Sequence, residues 1–439
     1  MRTFYTLAFF ILFSAGMLQA QNEVVVNVGD DIITKIQEVE EGGTLLIMPG
    51  VHKASYDNIE VTKSMTIKNN GGVNDTRVHI KQIDVPANSI SLTIEGIIWS
   101  GAALDSVSGE VTVADGENLT GDYFINLIAG ESMEYGDIIV NDCIIRHLNR
   151  SAVRGDRDAY YAKKIAFDNC IFEDFRGGGD YGPFRMKSRI TFDEFSVTNS
   201  TFFNVTNKIF DLKDMEAYPC EVTLDHCTFY LWGGGKSGQY VFDIQSNTEA
   251  SLIITNCILG KTRVSEDVSV NGWRIDDGEG NRINYNEFQF SVMSEDFIVE
   301  SGSYETTDFD MDNYNFVMEV PFVDPENGNF EIPDGSDLNL MSNEGTLIGD
   351  PRWADGPVSV ADLKEASFKV YPSIASNTIY IENGLKDPTN YTIYSMTGKK
   401  VLSANQVTND QPVNISSLQR GVYFVKPANK AEAFRFIKK

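Results

Sequence analysis

A chain of 439 residues carrying a net charge of −27 is long enough for two or three domains. So acidic a protein is a poor partner for nucleic acid, whose phosphates it would repel. The charge is uneven: residues 361–439 hold 11 Lys+Arg against 6 Asp+Glu, or +5, which leaves 25 against 57, or −32, on the rest. That shift puts a boundary near residues 354–366.

The first twenty residues read as a secretory signal. Arg2 supplies the positive start, Leu7–Phe13 the apolar core and Leu18-Gln19-Ala20 the cleavage site. The apolar run is too short to span a bilayer, and no later run reaches about 18 residues, so the mature chain is expected to be exported and soluble. Val24–Val28 predicts a strand. Asp30–Glu41 predicts a short helix, with Ile32, Ile33, Ile36 and Val39 at helical spacing, Asp30 or Asp31 as N-cap and Gly42-Gly43 as the stop. Strand-like runs follow at Thr44–Val51 and Ser64–Ile67, then short strands with Gly and Asn turns from Ile80 to Ile128.

From Asn141 to Asp276 one unit recurs five times. It opens with Asn-Asp-Cys, Asp-Asn-Cys, Thr-Asn-Ser, Asp-His-Cys and Thr-Asn-Cys, whose third members stand at 143, 170, 200, 227 and 257. A fixed period of about 20–50 residues signals a solenoid, whose units bury their apolar faces only by stacking. Cys143, Cys170, Cys227 and Cys257 share one register, with Ser200 in the fifth place. They therefore predict an internal stack of small residues, not disulfides, and Cys220 falls outside it.

A second ladder runs Val153-Arg154-Gly155-Asp156, Phe184-Arg185-Met186-Lys187, Phe210-Asp211-Leu212-Lys213, Phe242-Asp243-Ile244-Gln245 and Trp273-Arg274-Ile275-Asp276. Its alternation is that of a half-buried strand. The apolar members face in. Two polar columns face out: Arg154, Arg185, Asp211, Asp243 and Arg274, and then Asp156, Lys187, Lys213, Gln245 and Asp276. The predicted fold is all-β: a right-handed, single-stranded parallel β-helix over residues 21–353 with an N-terminal capping helix. A linker at 354–366 and a small β-sandwich at 367–439 follow.

Two triple-glycine runs, Gly177–Gly179 and Gly233–Gly235, read as tight corners, with a mobile rim above a sugar cleft as the alternative. Residues 277–350 are acidic and irregular. Asp308-Phe309-Asp310-Met311-Asp312 reads as a solvated loop; its clustered carboxylates also suit calcium, a hard cation.

Three stretches carry family resemblances. The order helix, "GGTLLIMPGVH", "SMTIKNN" resembles the start of pectate-lyase-like β-helix proteins. The ending "IGDPRW" (348–353) resembles a family of uncharacterised secreted β-helix proteins of Bacteroidetes type, which implies a carbohydrate-utilisation setting. The tail, with "FKVYPS", "YTIYSMTGKKV", "VNISSLQRGVYFVK" and "FRFIKK", resembles the C-terminal sorting domain of the type IX secretion system, although Ser373-Ile374 stands where the family has Asn-Pro. That resemblance implies the secretion machinery as a partner and release to, or attachment at, the outer cell surface.

The sequence reads as having no Ser/His/Asp set, no phosphate-cradling loop and no dinucleotide fingerprint followed by a helix. Its four histidines are His52, His79, His147 and His226, and His226, at a coil turn, reads as structural. Chemistry on the polar columns must then use Arg, Lys and Asp. Those types suit β-elimination of a uronic-acid polysaccharide: a cation stabilises the enolate forming at the carboxylate, and a base takes the C5 proton. Lys187 is the candidate base, with Arg154 and Arg185 as carboxylate clamps. Lys213, Asp211, Asp243, Gln245, Asp156 and Arg274 are the candidate substrate contacts. β-Helix lyases of the alginate lyase and chondroitinase B type are similar in using Lys and Arg, often with calcium, but their calcium motif has no match here. Two alternatives stand beside the lyase reading. One is acidic-glycan binding without cleavage. The other is polygalacturonase-like hydrolysis by Asp211 and Asp243, whose usual signatures are missing. The chain is taken as a monomer whose ligand is an acidic polysaccharide.

Overall fold

The computed structural model describes residues 22–53, 58–72, 75–103, 121–156, 160–177, 181–187, 191–215, 220–235, 239–246, 250–263, 270–276, 285–294, 314–354, 369–371, 374–382, 389–395, 399–408, 411–427 and 434–439. The signal-like segment and the Asp308–Asp312 loop lie outside them.

Up to Val317 the described chain is a parallel β-helix. Most coils contribute one strand to each of three sheets, and every strand pair in these sheets is parallel. The first sheet runs from Glu23–Val26 and Gly43–Ile47 through Ile138–Asn141 and Tyr161–Asp168 to Tyr285–Gln289. The second runs from Gly50–Lys53 through Ile144–Arg146 and Ile171–Phe175 to Phe316–Val317. The third runs from Ile59–Glu60 through Ser151–Asp156, Phe184–Lys187 and Phe210–Met215 to Val270–Asp276. Regular coils thus begin well before the legible repeat at 141 and persist after 276.

The repeated opening triplet is the corner between the first and second sheets. Its middle residues, Asp142, Asn169, Asn199, His226 and Asn256, have φ between 49° and 55°. That left-handed conformation favours Asn and Asp among side-chain-bearing residues. Each corner N–H donates to a carbonyl of the next coil: Asp142 to Asp168, Asn169 to Thr198, Asn199 to Asp225, His226 to Thr255 and Asn256 to Gln289, all at 3.0–3.1 Å. Side chains add a parallel rung, with Asn199 Nδ2 and Asn256 Nδ2 each donating at 2.8 Å to the Asp168 and Asp225 carboxylates. Gly177 and Gly234 take φ of 65° and 66° at a later corner, as the tight-corner reading requires.

The third residue of the triplet turns inward. Cys143, Cys170, Cys227 and Cys257 are buried free thiols, and Ser200 is buried beside them. Burial pushes the Cys143 thiol up to about 12, so the stack is unreactive. Next to it runs an aromatic stack. Phe172, Phe202 and Phe229 lie ring over ring at 4.5 Å, tilted by 9° and 2°.

The helix spans Ile32–Glu38, with Asp31 as N-cap accepting from Ile33 and Thr34 N–H. Ile32 and Ile36 are buried in the main core, which closes the N-terminal end. At the other end the "IGDPRW" segment straps the coils together. Thr201 Oγ1 donates to Asp350 Oδ2 at 2.6 Å, Asp350 N–H donates to Thr228 Oγ1 at 2.9 Å, and Arg352 Nη2 donates to Asn169 Oδ1 at 2.7 Å.

Residues 369–439 form a separate unit with its own core, which includes Ile379, Ile393, Val425 and Phe436. Its strands make a three-stranded antiparallel sheet and a five-stranded, mostly antiparallel one, the sandwich expected from the tail.

Removing the middle ring of the aromatic stack tests the coil packing. Phe202→Ala is expected to destabilise the β-helix by about 3–5 kcal/mol, read by chemical denaturation. A loss below about 1 kcal/mol would show that the stack contributes little beyond filling space.

Candidate functional site

The strand register brings the first polar column together as its spacing requires. Arg154 pairs with Arg185, Arg185 with Asp211, Asp211 with Asp243, and Asp243 with Arg274. The column also continues backwards, because Asn126 pairs with Arg154 and Asp84 with Asn126. In the second column Asp156 pairs with Lys187 and Gln245 with Asp276, while a register shift between Leu212 and Met215 spans Lys213. The side chains of Asp156, Lys187, Lys213, Gln245 and Arg274 lie outside the described part of the structure, so these residues enter here only as strand positions.

The inward members behave as expected. Val153, Phe184, Phe210, Phe242, Met186, Leu212 and Ile244 are all 0 % exposed. Asp211 and Asp243 depart from expectation. The alternation predicts them on the outward, exposed face, yet they are 1 % and 0 % exposed.

The cause is Lys208, three residues ahead of Asp211. Its Nζ donates to Asp211 Oδ1 at 3.0 Å and to Asp243 Oδ2, and Arg185 Nη1 lies 3.6 Å from Asp211 Oδ2. Burial alone would push the Lys208 ammonium down, but Asp243 and Asp211 outweigh burial and hold it above the ordinary lysine range. Lys208 is therefore a fixed cation and not a base. The two aspartates it neutralises are shut from solvent, which argues against their use as hydrolytic carboxylates. Gly182 lets the preceding coil settle here: a Cβ at that position would fall 1.5 Å from the Lys208 carbonyl oxygen.

Upstream of the aspartates the column opens into a group of arginines and tyrosines. The Arg185 guanidinium lies 3.7 Å from the centre of the Tyr181 ring. Arg154 lies 5.4 Å from the Tyr123 ring. Arg150 lies 5.0 Å from Tyr181 and 5.8 Å from Tyr123, and its Nη1 donates to Tyr123 Oη at 2.8 Å. The two rings are 5.9 Å apart.

Arg154 and the Tyr181 backbone are held from behind. Asn126 Oδ1 accepts from Arg154 Nη1 at 3.1 Å, and Asn126 Nδ2 donates to Asp84 Oδ1 at 2.7 Å. Asp84 also accepts from Gln82 at 2.6 Å and from Asn58 at 2.7 Å. Asn207 Nδ2 donates to the Tyr181 carbonyl at 3.1 Å and to that of Gly177 at 2.7 Å. Burial raises the Tyr123 phenol above its usual range, so it stays protonated.

The sequence reading missed Asp84, Asn126, Lys208, Tyr123, Tyr181 and Arg150. A signal existed for the first two, because Ile83-Asp84-Val85 and Ile125-Asn126-Leu127 repeat the apolar-polar-apolar triad of the ladder. Of the other four, Arg150, Tyr181 and Lys208 lie just before strands and Tyr123 opens one, and they share no common spacing.

The structure also assembles a Ser/His/Asp line that no sequence spacing announced. Ser100 Oγ lies 3.2 Å from His147 Nδ1, and His147 Nε2 lies 3.4 Å from Asp174 Oδ2. Ser100 is 1 % exposed, and its oxygen accepts from the Ala102 N–H at 3.3 Å. It is therefore not presented to a substrate, and the line is a coil-to-coil tie. His226, at its corner, lies 3.2 Å from Asp225, the structural role expected of it. Among the described residues no group of three or more His, Cys, Asp or Glu could hold a metal ion, so calcium finds no fitting set there and enters no step below.

Residues 222–353 match a family model described as a domain of unknown function (DUF5123). Residues 369–439 match the secretion system C-terminal sorting domain. The chain is addressed to the outer surface or the extracellular space. No helix among the described residues is long and apolar enough to cross a membrane. No curated protein matches the chain. Among solved structures, ORF18 of Geobacillus virus E2 is 12% identical, with a TM-score of 0.33. The match covers 61% of each chain.

Lys208→Ala leaves two buried carboxylates short of their cation and is expected to cost about 3–5 kcal/mol, measured by denaturant unfolding. Because the folded lysine value lies above the unfolded one, its contribution is full at neutral pH. It is lost only as pH rises through the folded value, above the ordinary lysine range. An equal loss in Lys208→Ala at neutral and at strongly alkaline pH would contradict the ion-pair account.

Proposed function

We propose that this exported β-helix protein binds an acidic, uronate-bearing glycan on its third sheet, with Arg154, Arg185 and Arg150 as the carboxylate-holding groups. The observation that carries the reading is the Arg185 guanidinium at 3.7 Å over Tyr181, beside Arg150 and Arg154 on Tyr123. An aromatic face fixes the plane of a guanidinium without neutralising it. The planar fork then matches a carboxylate bidentately. The tyrosine rings also offer apolar faces on which a sugar ring can lie. Acids stand beside two of these arginines, Asp211 at 3.6 Å from Arg185 and Asp122 at 3.7 Å from Arg150, and the acids of the column are themselves engaged. Asp211 and Asp243 are engaged by Lys208, and Asp84 by three amide side chains.

A second reading adds cleavage by β-elimination. It is favoured by Lys187, which lies two residues beyond Arg185 on the strand Phe184–Lys187 and pairs in register with Asp156. A lysine in the next column can take the C5 proton of a uronate whose carboxylate Arg154 and Arg185 hold. The guanidinium charge stabilises the enolate, and the glycosidic oxygen leaves as the C4–C5 double bond forms.

Affinity electrophoresis through alginate, pectate and glycosaminoglycan gels, paired with an ultraviolet assay for unsaturated uronate, separates the two. Binding predicts retardation on at least one gel, with Arg154→Gln and Tyr181→Ala each weakening it about tenfold. Cleavage predicts, in addition, an absorbance that Lys187→Ala abolishes. Neither retardation nor absorbance on any acidic glycan would overturn both readings.

A further inference from the structure

On the second sheet one outward column runs Lys53, His79, Ser100, Arg146, Glu173 in strict register. Arg77 stands two residues before His79 on the strand Thr76–His79, whose alternate members Thr76 and Val78 are 0 % exposed. Arg77 and His79 therefore share the outer face. Between His79 and Arg146 the column holds only Ser100, whose Oγ lies 3.2 Å from His147 Nδ1.

Three nitrogens of this group are enclosed and have no hydrogen-bond partner: Arg77 Nε, Arg146 Nε and His79 Nε2. His79 itself is 4 % exposed. Its Nδ1 lies 2.8 Å from the Ala102 carbonyl oxygen. A carbonyl only accepts, so Nδ1 carries the hydrogen and Nε2 of the neutral ring is a bare lone pair. The nearest carboxylate to Arg146 belongs to Glu173, at 3.9 Å, beyond hydrogen-bond reach. Enclosed guanidinium N–H groups without partners are costly. Here they stand on the strands Thr76–His79 and Ile144–Arg146 of one sheet, with only the strand Ile98–Ser100 between them.

We propose that Arg77, His79 and Arg146 form a second ligand site, for a tetrahedral oxyanion such as a sulfate group. The two guanidinium groups and the imidazole come from two strands on either side of the Ile98–Ser100 strand, so a ligand that bridges them needs acceptors on several sides, which a tetrahedral oxyanion has and a planar carboxylate lacks. The site is independent of the glycan reading on the third sheet, because no residue is shared.

The tautomer of His79 makes the site sensitive to pH. Neutral His79 offers the anion a lone pair, whereas protonated His79 offers a third donor. Burial above all, and then Arg77, Arg146 and His147, oppose protonation of the ring, while its bond to the Ala102 carbonyl favours it; Lys53 adjoins His79 on one side, and Glu173 and Asp174 lie against Arg146 and His147 on the other. A bound dianion adds a strong favourable partner, so binding takes up a proton and tightens as pH falls through the histidine range.

Titration calorimetry on the full chain with inorganic sulfate, which does not itself titrate in that range, tests the site. A sulfated oligosaccharide forms a second arm, and binding of either source supports the proposal. Sulfate is expected to bind more tightly on the acid side of the histidine range. Arg77→Gln and Arg146→Gln should each weaken it about tenfold, and Arg154→Gln on the third sheet should leave it unchanged. Histidine-79-to-asparagine (H79N) places an amide nitrogen toward the Ala102 carbonyl and should remove the pH dependence. No binding of either source by the wild-type chain overturns the proposal. So does undiminished binding in Arg77→Gln, or a pH dependence that survives in H79N. Should a glutamine variant unfold, the wild-type and H79N pH profiles still decide the question.

Discussion

The structure depends on one backbone contact repeated coil after coil. A left-handed corner residue, Asp142, Asn169, Asn199, His226 or Asn256, turns the chain and aims its N–H at a carbonyl of the next coil. That bond sets each coil directly over its neighbour at the spacing of paired strands, about 4.8 Å. Equivalent positions then stack, and a side chain's closest neighbours are its own counterparts. For Phe172, Phe202 and Phe229 such stacking is favourable. For charged side chains it brings like charges close, which costs free energy unless something intervenes. The outward column of the third sheet shows how this is met. Asn126 stands between Asp84 and Arg154, Asp211 lies against Arg185, and Lys208 reaches in to separate Asp211 from Asp243. The like-charged neighbours in this column without an interposed counter-charge are Arg154 and Arg185. It is at those two that Tyr123, Tyr181 and Arg150 gather.

This division also explains what could be read from the sequence. The corner triplets and the inward Phe/Met/Leu positions were legible because each residue answers a requirement that recurs every coil. Only a few side chains tolerate a left-handed φ, and only small ones fit behind it. The register of Arg154, Arg185, Asp211 and Asp243 followed from the same period. Their burial did not. Alternation tells which side of a strand a residue faces, not what lies over that side. Lys208 lies over Asp211 and Asp243 from a corner whose length differs between coils. Tyr181 stands three residues ahead of Phe184, and Tyr123 two ahead of Ile125, so the pair that backs the arginines has no common spacing. The line from Ser100 to His147 to Asp174 joins residues 47 and 27 apart, again through corners.

The second sheet adds a division along its length. Its outward column begins polar, with Lys53, His79, Ser100, Arg146 and Glu173, and turns aromatic at Phe203 and Tyr230. The change falls where the C-terminal strap arrives: Phe330 packs on Phe203 at 5.3 Å and Phe322 on Tyr230 at 5.8 Å. The "IGDPRW" ending closes that packing, with Trp353 against Phe330 at 5.2 Å and Trp353 Nε1 donating to Thr201 Oγ1 at 2.7 Å. Its conformation is as specific as its contacts, because Gly349 has φ of 82° and its N–H donates to the Asn256 carbonyl at 2.7 Å. The strap thus accounts for a motif that the sequence offered only as a resemblance, and it covers the aromatic half of the column.

The acidity of the body bears on both arginine groups. Outside residues 361–439 the chain carries −32, so any anionic ligand of the proposed sites would approach against the field of the whole protein. That field is screened within about 8 Å at physiological ionic strength. At contact, the local arrangement decides. A half-buried guanidinium on a tyrosine face interacts through a lower effective dielectric than the surface acids do. Recognition of this kind is slow to form compared with electrostatically steered association and relies on fit after encounter. An arginine site in an acidic shell therefore discriminates by shape and by bidentate geometry rather than by charge alone. It disfavours loosely bound polyanions that a basic surface would collect, and it favours ligands whose anionic groups reach the few places where guanidinium forks are already oriented.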